Sequence, residues 1–247
     1  MTRFLARLAS STGQSAAALE AHSVPLVRRA VARRYLRGQG IEIGALHNPL
    51  EVPPSVSVRY VDRLPVEELR AQYPELAAQS LVEVDAQDDG ERLARFSDAS
   101  EDFVIANHFL EHCEDPVGAL TNMLRVLRPG GVVYLAVPDK RHTFDRDRPV
   151  TSVDHVVADH VEGSQRSRRD HFEEWVRLVN KTAGDDAVEH EVAELMRRDY
   201  SIHYHVWTQN ELLALLVAMR ERCELAFDIA LLLRNEHENI VVLQKLA

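Results

Sequence analysis

The residues best placed for chemistry in this chain are glycines and carboxylates that stand just beyond short apolar runs. Gly44 follows Ile41-Glu42-Ile43, and a residue without Cβ at a strand end lets backbone amides approach a ligand closely. Glu42 precedes it by two residues and Ala45 follows it directly. Asp62 ends the run Val56 to Val61, roughly 20 residues beyond the first turn, the spacing of an acid that accepts hydrogen bonds from ribose hydroxyls. Arg63 stands beside it. Asp89-Gly90-Glu91 lies in the third crossover, where a carboxylate can take an adenine amino group, and Asn107-His108 follows the fourth run.

Histidines form the second set. Nine of the 12 fall from His108 to His205. Imidazole titrates near neutrality, so His108, His142, His160, His203 and His205 are the candidate proton acceptors. His203 and His205 alternate, and on a strand both would face one side. Arg146 and Arg148, close to His142 and Asp145, are placed to hold an anionic acceptor, and His47 is expected near the first glycine turn. His155, Asp159 and His160 follow. The recurrence of His and Asp leaves a metal site open, but the spacing fits no recognised metal-ligand motif, and no metal ligand is assigned.

These residues need a scaffold that brings strand ends together. Short β-branched runs alternate with helical patterns in the first half, the signature of a parallel sheet with crossover helices. Strands are expected at Ile41–Ile43, Val56–Val61, Leu81–Val84, Phe103–Ala106 and Val132–Val137. Helices are expected over Val24–Leu36, Pro65–Gln72 and Pro116–Leu127, the last stopped by the turn Pro129-Gly130-Gly131. The alternation then breaks. Residues 139–205 read as an insertion with helices near 152–161, 168–181 and 186–198, too long for one structureless loop. A helix over Gln209–Glu221 and an antiparallel hairpin of Leu225–Leu233 with Ile240–Lys245 close the chain. The fold class is α/β, a Rossmann-like, seven-stranded, mostly parallel sheet with an antiparallel C-terminal hairpin and a helical insertion after strand five. A helical arm over residues 1–36 precedes the main domain of 37–247, in which 139–205 is a substrate-binding lid.

Composition sets the outer limits. The chain has 247 residues and a formal net charge of -10, which disfavours a broad nucleic-acid surface. Two cysteines cannot build a disulfide framework, and a reducing cytoplasm is the natural compartment. The N-terminus lacks the continuous apolar core of a signal peptide, and no run of about 18 apolar residues supports a membrane span. The protein could act alone or as an oligomer.

Gly40-Ile41-Glu42-Ile43-Gly44-Ala45, Val61-Asp62, Asp89 to Leu93 and Ser100 to Ile105 together resemble the nucleotide-site motifs of class I methyltransferases that use S-adenosylmethionine (SAM). His108-Phe109-Leu110-Glu111-His112, followed by Leu124 to Gly131, is similar to the strand-four to strand-five segment of their type 11 group. The resemblance covers roughly residues 37–138. It implies that Gly44 and its neighbours pass the methionine part of SAM, Asp62 grips the ribose and Asp89 holds the adenine amino group. Asn107 would meet the methionine end through its backbone, and Glu42 would orient the ammonium through water. The usual Gly-x-Gly turn is absent, since Gly44-Ala45 runs on to Leu46-His47, which implies a tighter turn with His47 at the site.

The implied activity is methyl transfer to a small-molecule acceptor, anionic or sugar-like, on oxygen first and nitrogen next. Two rival classes stand beside it. One is an NAD(P)-dependent oxidoreductase on the same type of sheet, against which the missing Gly-x-Gly-x-x-Gly counts. The other is a SAM-binding protein without catalysis.

Overall fold

Strands of a parallel sheet are covered on both faces and read as continuous apolar runs. In the computed structural model, which describes residues 23–76 and 78–247, three central strands have this character: β1 (Gln39–Ile43), β4 (Glu101–Asn107) and β5 (Leu127–Pro138). They are joined by β2 (Ser57–Asp62), β3 (Ala86–Gln87), β6 (Phe227–Asn235) and β7 (Glu238–Lys245). The order across the sheet is β3-β2-β1-β4-β5-β7-β6. The first five strands pair in parallel, and β7 runs antiparallel to both its neighbours, β5 and β6. This is the seven-stranded, mostly parallel sheet expected from the sequence. The dinucleotide-binding order 3-2-1-4-5-6 has no reversed strand beside its fifth, so the β7 position sets this sheet apart.

Strand order reverses between β1 and β4, the switch point where open α/β sheets bind ligands beyond the carboxyl ends of their strands. Residues Ile43, Asp62, Gln87 and Asn107 end the four strands on that edge. Helix α1 (residues 23–35), with Leu36 just beyond it, packs Val31 and Ala32 on one sheet face with Phe103, Ile105 and Tyr134. Helices α3 (Pro116–Val126) and α7 (Gln209–Arg222) cover the other face, where Leu120, Met123, Leu212 and Leu216 meet Val104, Val133 and Val241. Between β2 and β3 lies α2 (Val66–Gln72). The first 22 residues of the expected N-terminal arm lie outside the described residues.

Two local expectations are corrected. The third strand is two residues long at Ala86–Gln87, not Leu81–Val84. Leu81 is buried and Val82 N–H donates to Leu46 C=O at 2.8 Å, so this apolar run braces the loop after Gly44 instead of pairing with β2. Pro129-Gly130-Gly131 does not stop a helix. Helix α3 ends at Val126, and the triplet bulges inside β5, where Glu101 faces Leu127 but Phe103 faces Val132.

The insertion folds around its own core. Helices α4 (Val153–Glu162), α5 (Arg168–Leu178) and α6 (Asp185–Arg197) lie where helical patterns were expected. Phe172, Trp175, Val176, Val188, Val192 and Ile202 form an apolar cluster separate from both sheet faces. Its return segment is anchored to the sheet edge: Tyr204 N–H donates to Glu111 C=O at 2.8 Å, and Trp207 bridges to Asp139 beyond β5. Among the described residues, no helix is long and apolar enough to cross a membrane.

Candidate active site

A cleft of about 710 Å³ opens at the switch point, within the ~300–1,000 Å³ typical of small-molecule sites. Strand ends and insertion share its walls. Gly44, Asp62, Arg63, Asp89, Gly90 and His108 line it from the sheet, and Phe144, Trp175, Tyr200, Ser201, His203 and Tyr204 from the insertion.

On the sheet side, local backbone chemistry explains the residue types. Gly44 sits at φ +64°, where a side chain would be strained, and its N–H bonds Val61 C=O at 2.9 Å, tying the β1 end to β2. The Asp62 carboxylate accepts from Arg63 N–H at 2.7 Å, and burial raises its pKa despite that bond. Asp89 accepts from Glu91 N–H at 2.9 Å, which leaves this short loop fixed by its own carboxylate. Burial pushes the neighbouring Glu91 up to about 7, against two backbone N–H donors from Glu114 and Asp115. At Gly90 a Cβ would come within 2.5 Å of Ile43 Cγ2 and 2.7 Å of Phe109 Cζ. Gly90→Ala must therefore drive the Phe109 ring toward the cleft it lines. The expected result is cofactor affinity reduced at least tenfold in a folded protein, measured by calorimetry, about 1.4 kcal/mol.

On the insertion side the wall is aromatic. Phe144 and Trp175 both contact the His203 ring, with centroids 4.9 and 5.9 Å away. His203 Nδ1 lies 2.7 Å from Asp145 Oδ2, and Asp145 is held by Arg148 Nη1 at 2.9 Å. Burial opposes ionisation of Asp145, yet the bonds from His203 and Arg148 hold its carboxyl below the usual range. Behind His203, His112 binds Ile202 C=O through Nδ1 at 2.8 Å, and burial drives its pKa down to about 3. Glu111 is buried with neither carboxylate oxygen hydrogen-bonded, and desolvation raises it to about 7.

Charged groups tie the two walls together at the rim. Arg63 Nη1 donates to Asp199 Oδ2 at 3.2 Å, and Asp199 also accepts from Arg168 Nη2 at 2.6 Å. Arg168 in turn donates to Glu114, which Tyr204 OH also reaches at 3.2 Å.

Several residues singled out in the sequence stand elsewhere. His205 is fully buried and does not share the His203 wall: the His-Tyr-His segment is irregular rather than a strand, so the two rings part into separate environments. His142 Nε2 meets Arg234, and His160 Nδ1 meets Asp115 at 2.9 Å; neither lines the cleft. His47 is exposed, and Leu46, at φ +49°, lines the cleft in its place. Arg146 is exposed away from the cleft, while Arg148 is wholly buried, saturated by Asp145, Glu174 and the carbonyls of His203 and Tyr204. Glu42 lies beneath the first turn, accepting Leu50 N–H at 2.9 Å and Asn107 Nδ2 at 3.4 Å; burial raises it to about 7. Asn107 and Ala45 flank the cleft residues without lining it. Sequence reasoning missed Tyr73, Glu114, Trp175 and Tyr200 as wall residues, since none sits at a strand end.

Residues 58–135 match the family model of a methyltransferase domain, a segment that runs from β2 through most of β5. No curated protein matches the sequence. The fold is similar to a chain in the complex between the Haloferax volcanii Trm112 methyltransferase activator and a methyltransferase (13% identity, 96% of each chain, TM-score 0.51). It is also similar to a Rhodobacter sphaeroides protein described as a Zn-dependent alcohol dehydrogenase (15% identity, 92% of this chain and 90% of that one, TM-score 0.50). A CurJ carbon methyltransferase is similar over 87% of this chain, which spans 50% of that one, at 15% identity and a TM-score of 0.46. Identities this low speak for the fold alone, and the domain match covers residues 58–135, about a third of the chain. The half-buried Asp62 carboxylate, the open backbone at Gly44 and the floor at Gly90 fit a nucleoside cofactor at the switch point. The match over residues 58–135 makes this segment similar to methyltransferase domains, and the sheet order agrees with their class I fold, for which the implied cofactor is S-adenosylmethionine.

Proposed function

We propose that the protein transfers a methyl group to a hydroxyl of a small, uncharged acceptor enclosed between the strand ends and the insertion. The observation that carries this reading is the pairing of His203 with Asp145 inside an otherwise aromatic wall of the same cleft as Asp62 and Gly44. In this reading Asp62 binds the ribose hydroxyls, Asp89 the adenine amino group, and the backbone at Gly44 the methionine end. SAM supplies an activated methyl on a sulfonium.

Displacement at such a methyl needs alignment, exclusion of water and, for a hydroxyl acceptor, a base. Asp145 accepts the hydrogen bond of the His203 Nδ1–H, which fixes the ring and leaves Nε2 as the basic nitrogen for the acceptor proton. Phe144, Trp175, Tyr200 and Tyr204 give the acceptor an apolar, flat surface. Arg148 cannot bind an anion, because its donors are spent within the protein, so charge is not what the wall selects. Residues 139–205 act as the lid, and the Arg63–Asp199 contact clasps it over the cofactor.

The test is turnover with methyl-labelled SAM against matched hydroxylated and amine compounds, neutral and anionic. Label should pass to neutral hydroxyl compounds. Transfer confined to amines or to anions would overturn this choice of acceptor.

A further inference from the structure

Behind the His203 wall, four donor groups from three segments of the insertion converge. His155 and Asp159 lie one turn apart on α4, His171 comes from α5, and His205 from the return segment. Their donor atoms all lie within 4.8 Å of one another. We propose that His155, Asp159, His171 and His205 bind a divalent transition-metal ion, zinc by its donor set, which staples the insertion together.

A four-coordinate zinc with bonds of ~2.0–2.1 Å sets its donors ~3.3 Å apart. His155 Nε2 stands 3.0 Å from His171 Nε2 and 3.1 Å from Asp159 Oδ2, and His171 Nε2 is 3.8 Å from that oxygen. These distances bracket the edge of such a tetrahedron. His205 completes it, its ring centroid 4.9 Å from that of His171 and 5.8 Å from that of His155.

A cluster held by hydrogen bonds alone accounts poorly for this arrangement. His205 is fully buried, yet neither of its ring nitrogens closes a hydrogen bond, although the Glu114 backbone faces the ring. Asp159 Oδ2 is likewise buried without a hydrogen bond. Two imidazole nitrogens facing one another can share only one proton, and a cation satisfies both lone pairs at once.

The surroundings support the donors as metal sites require. Ser167 Oγ donates to Asp159 Oδ1 at 2.7 Å, and Trp207 stacks on His205 at 5.7 Å. A third of the His155 side chain is exposed, which gives an entry path. Three imidazoles and a carboxylate suit zinc, and four protein donors close the coordination shell, the mark of a structural site. The site was not legible as a motif because its donors span 51 positions, from 155 to 205, on three segments.

The test uses the untagged full-length protein, freed of metal by chelator and titrated with zinc chloride and, separately, cobalt(II) chloride. The folded chain should take up one equivalent of zinc, gain thermal stability, and give the visible absorption of four-coordinate cobalt. His171→Gln and the partly exposed His155→Gln should each weaken zinc at least tenfold, while His190→Gln, exposed on α6, leaves it unchanged. If His171→Gln fails to fold, His155→Gln carries the comparison. Absence of stoichiometric uptake by the folded chain, or uptake equal in wild type and both cluster variants, would overturn the proposal. Metal content is the readout, so the result stands apart from whether the proposed methyl transfer is correct.

Discussion

Replacing His203 by alanine is expected to lower kcat by ~10²–10⁴-fold while SAM affinity stays within about threefold, because proton acceptance at the transition state is lost and the cofactor wall is not. The ring is the only imidazole of the insertion that lines the cleft among the described residues, and Asp145 fixes it at 2.7 Å. Asp145→Asn should reproduce part of the kinetic loss but also cost stability, since it removes a partner of the buried Arg148. Steady-state kinetics beside calorimetry separates the two effects. Full activity in His203→Ala would leave methyl transfer to alignment alone.

Glu238→Gln should destabilise the protein by about 3–5 kcal/mol, the cost of stranding a buried charge. Glu238 is fully buried and binds Arg28 Nε at 2.8 Å, His108 Nε2 at 2.9 Å and Asn235 Nδ2 at 2.8 Å. Burial raises its pKa, but those bonds, led by Arg28, outweigh it and hold the carboxyl at about 2. A carboxylate held below its unfolded value stabilises the fold above that value, so its contribution is complete above pH 4.5 and is lost as pH falls toward 2. The wild type should therefore lose about 3 kcal/mol from this group across that window, and Glu238→Gln should not. Denaturant unfolding at pH 7 and about pH 2 measures both. Because His108 shares the carboxylate, the same variant should loosen the β4 tip beside the cleft.

Much of this site was legible before the fold, and the reason is physical. Gly44, Asp62, Asp89 and His108 stand at or just beyond strand ends, and a parallel sheet places strand ends at one edge whatever surrounds them. Helices α4, α5 and α6 were equally readable, because each carries an apolar stripe at helical spacing. Position along the chain could not tell which insertion side chain would face inward. His203 and His205 are two residues apart, but the return segment is irregular, so one ring enters the cleft and the other a separate polar cluster. Arg148 looked like an anion clamp by type; burial turned it into a brace for Asp145 and the backbone at 203–204. The run Leu81–Val84 carried strand-forming residues, yet tertiary contact with the Gly44 loop decided its role.

The most direct test of a SAM site at the switch point is calorimetric titration of the full-length protein and of Asp62→Asn with S-adenosylhomocysteine, with NAD as the comparison. Charge-assisted hydrogen bonds to the ribose are worth ~1.5–3 kcal/mol. The expected result is one-to-one binding to the wild type, at least tenfold weaker in a folded Asp62→Asn, and no comparable binding of NAD. Binding of NAD in preference, or unchanged S-adenosylhomocysteine affinity in Asp62→Asn, would contradict it.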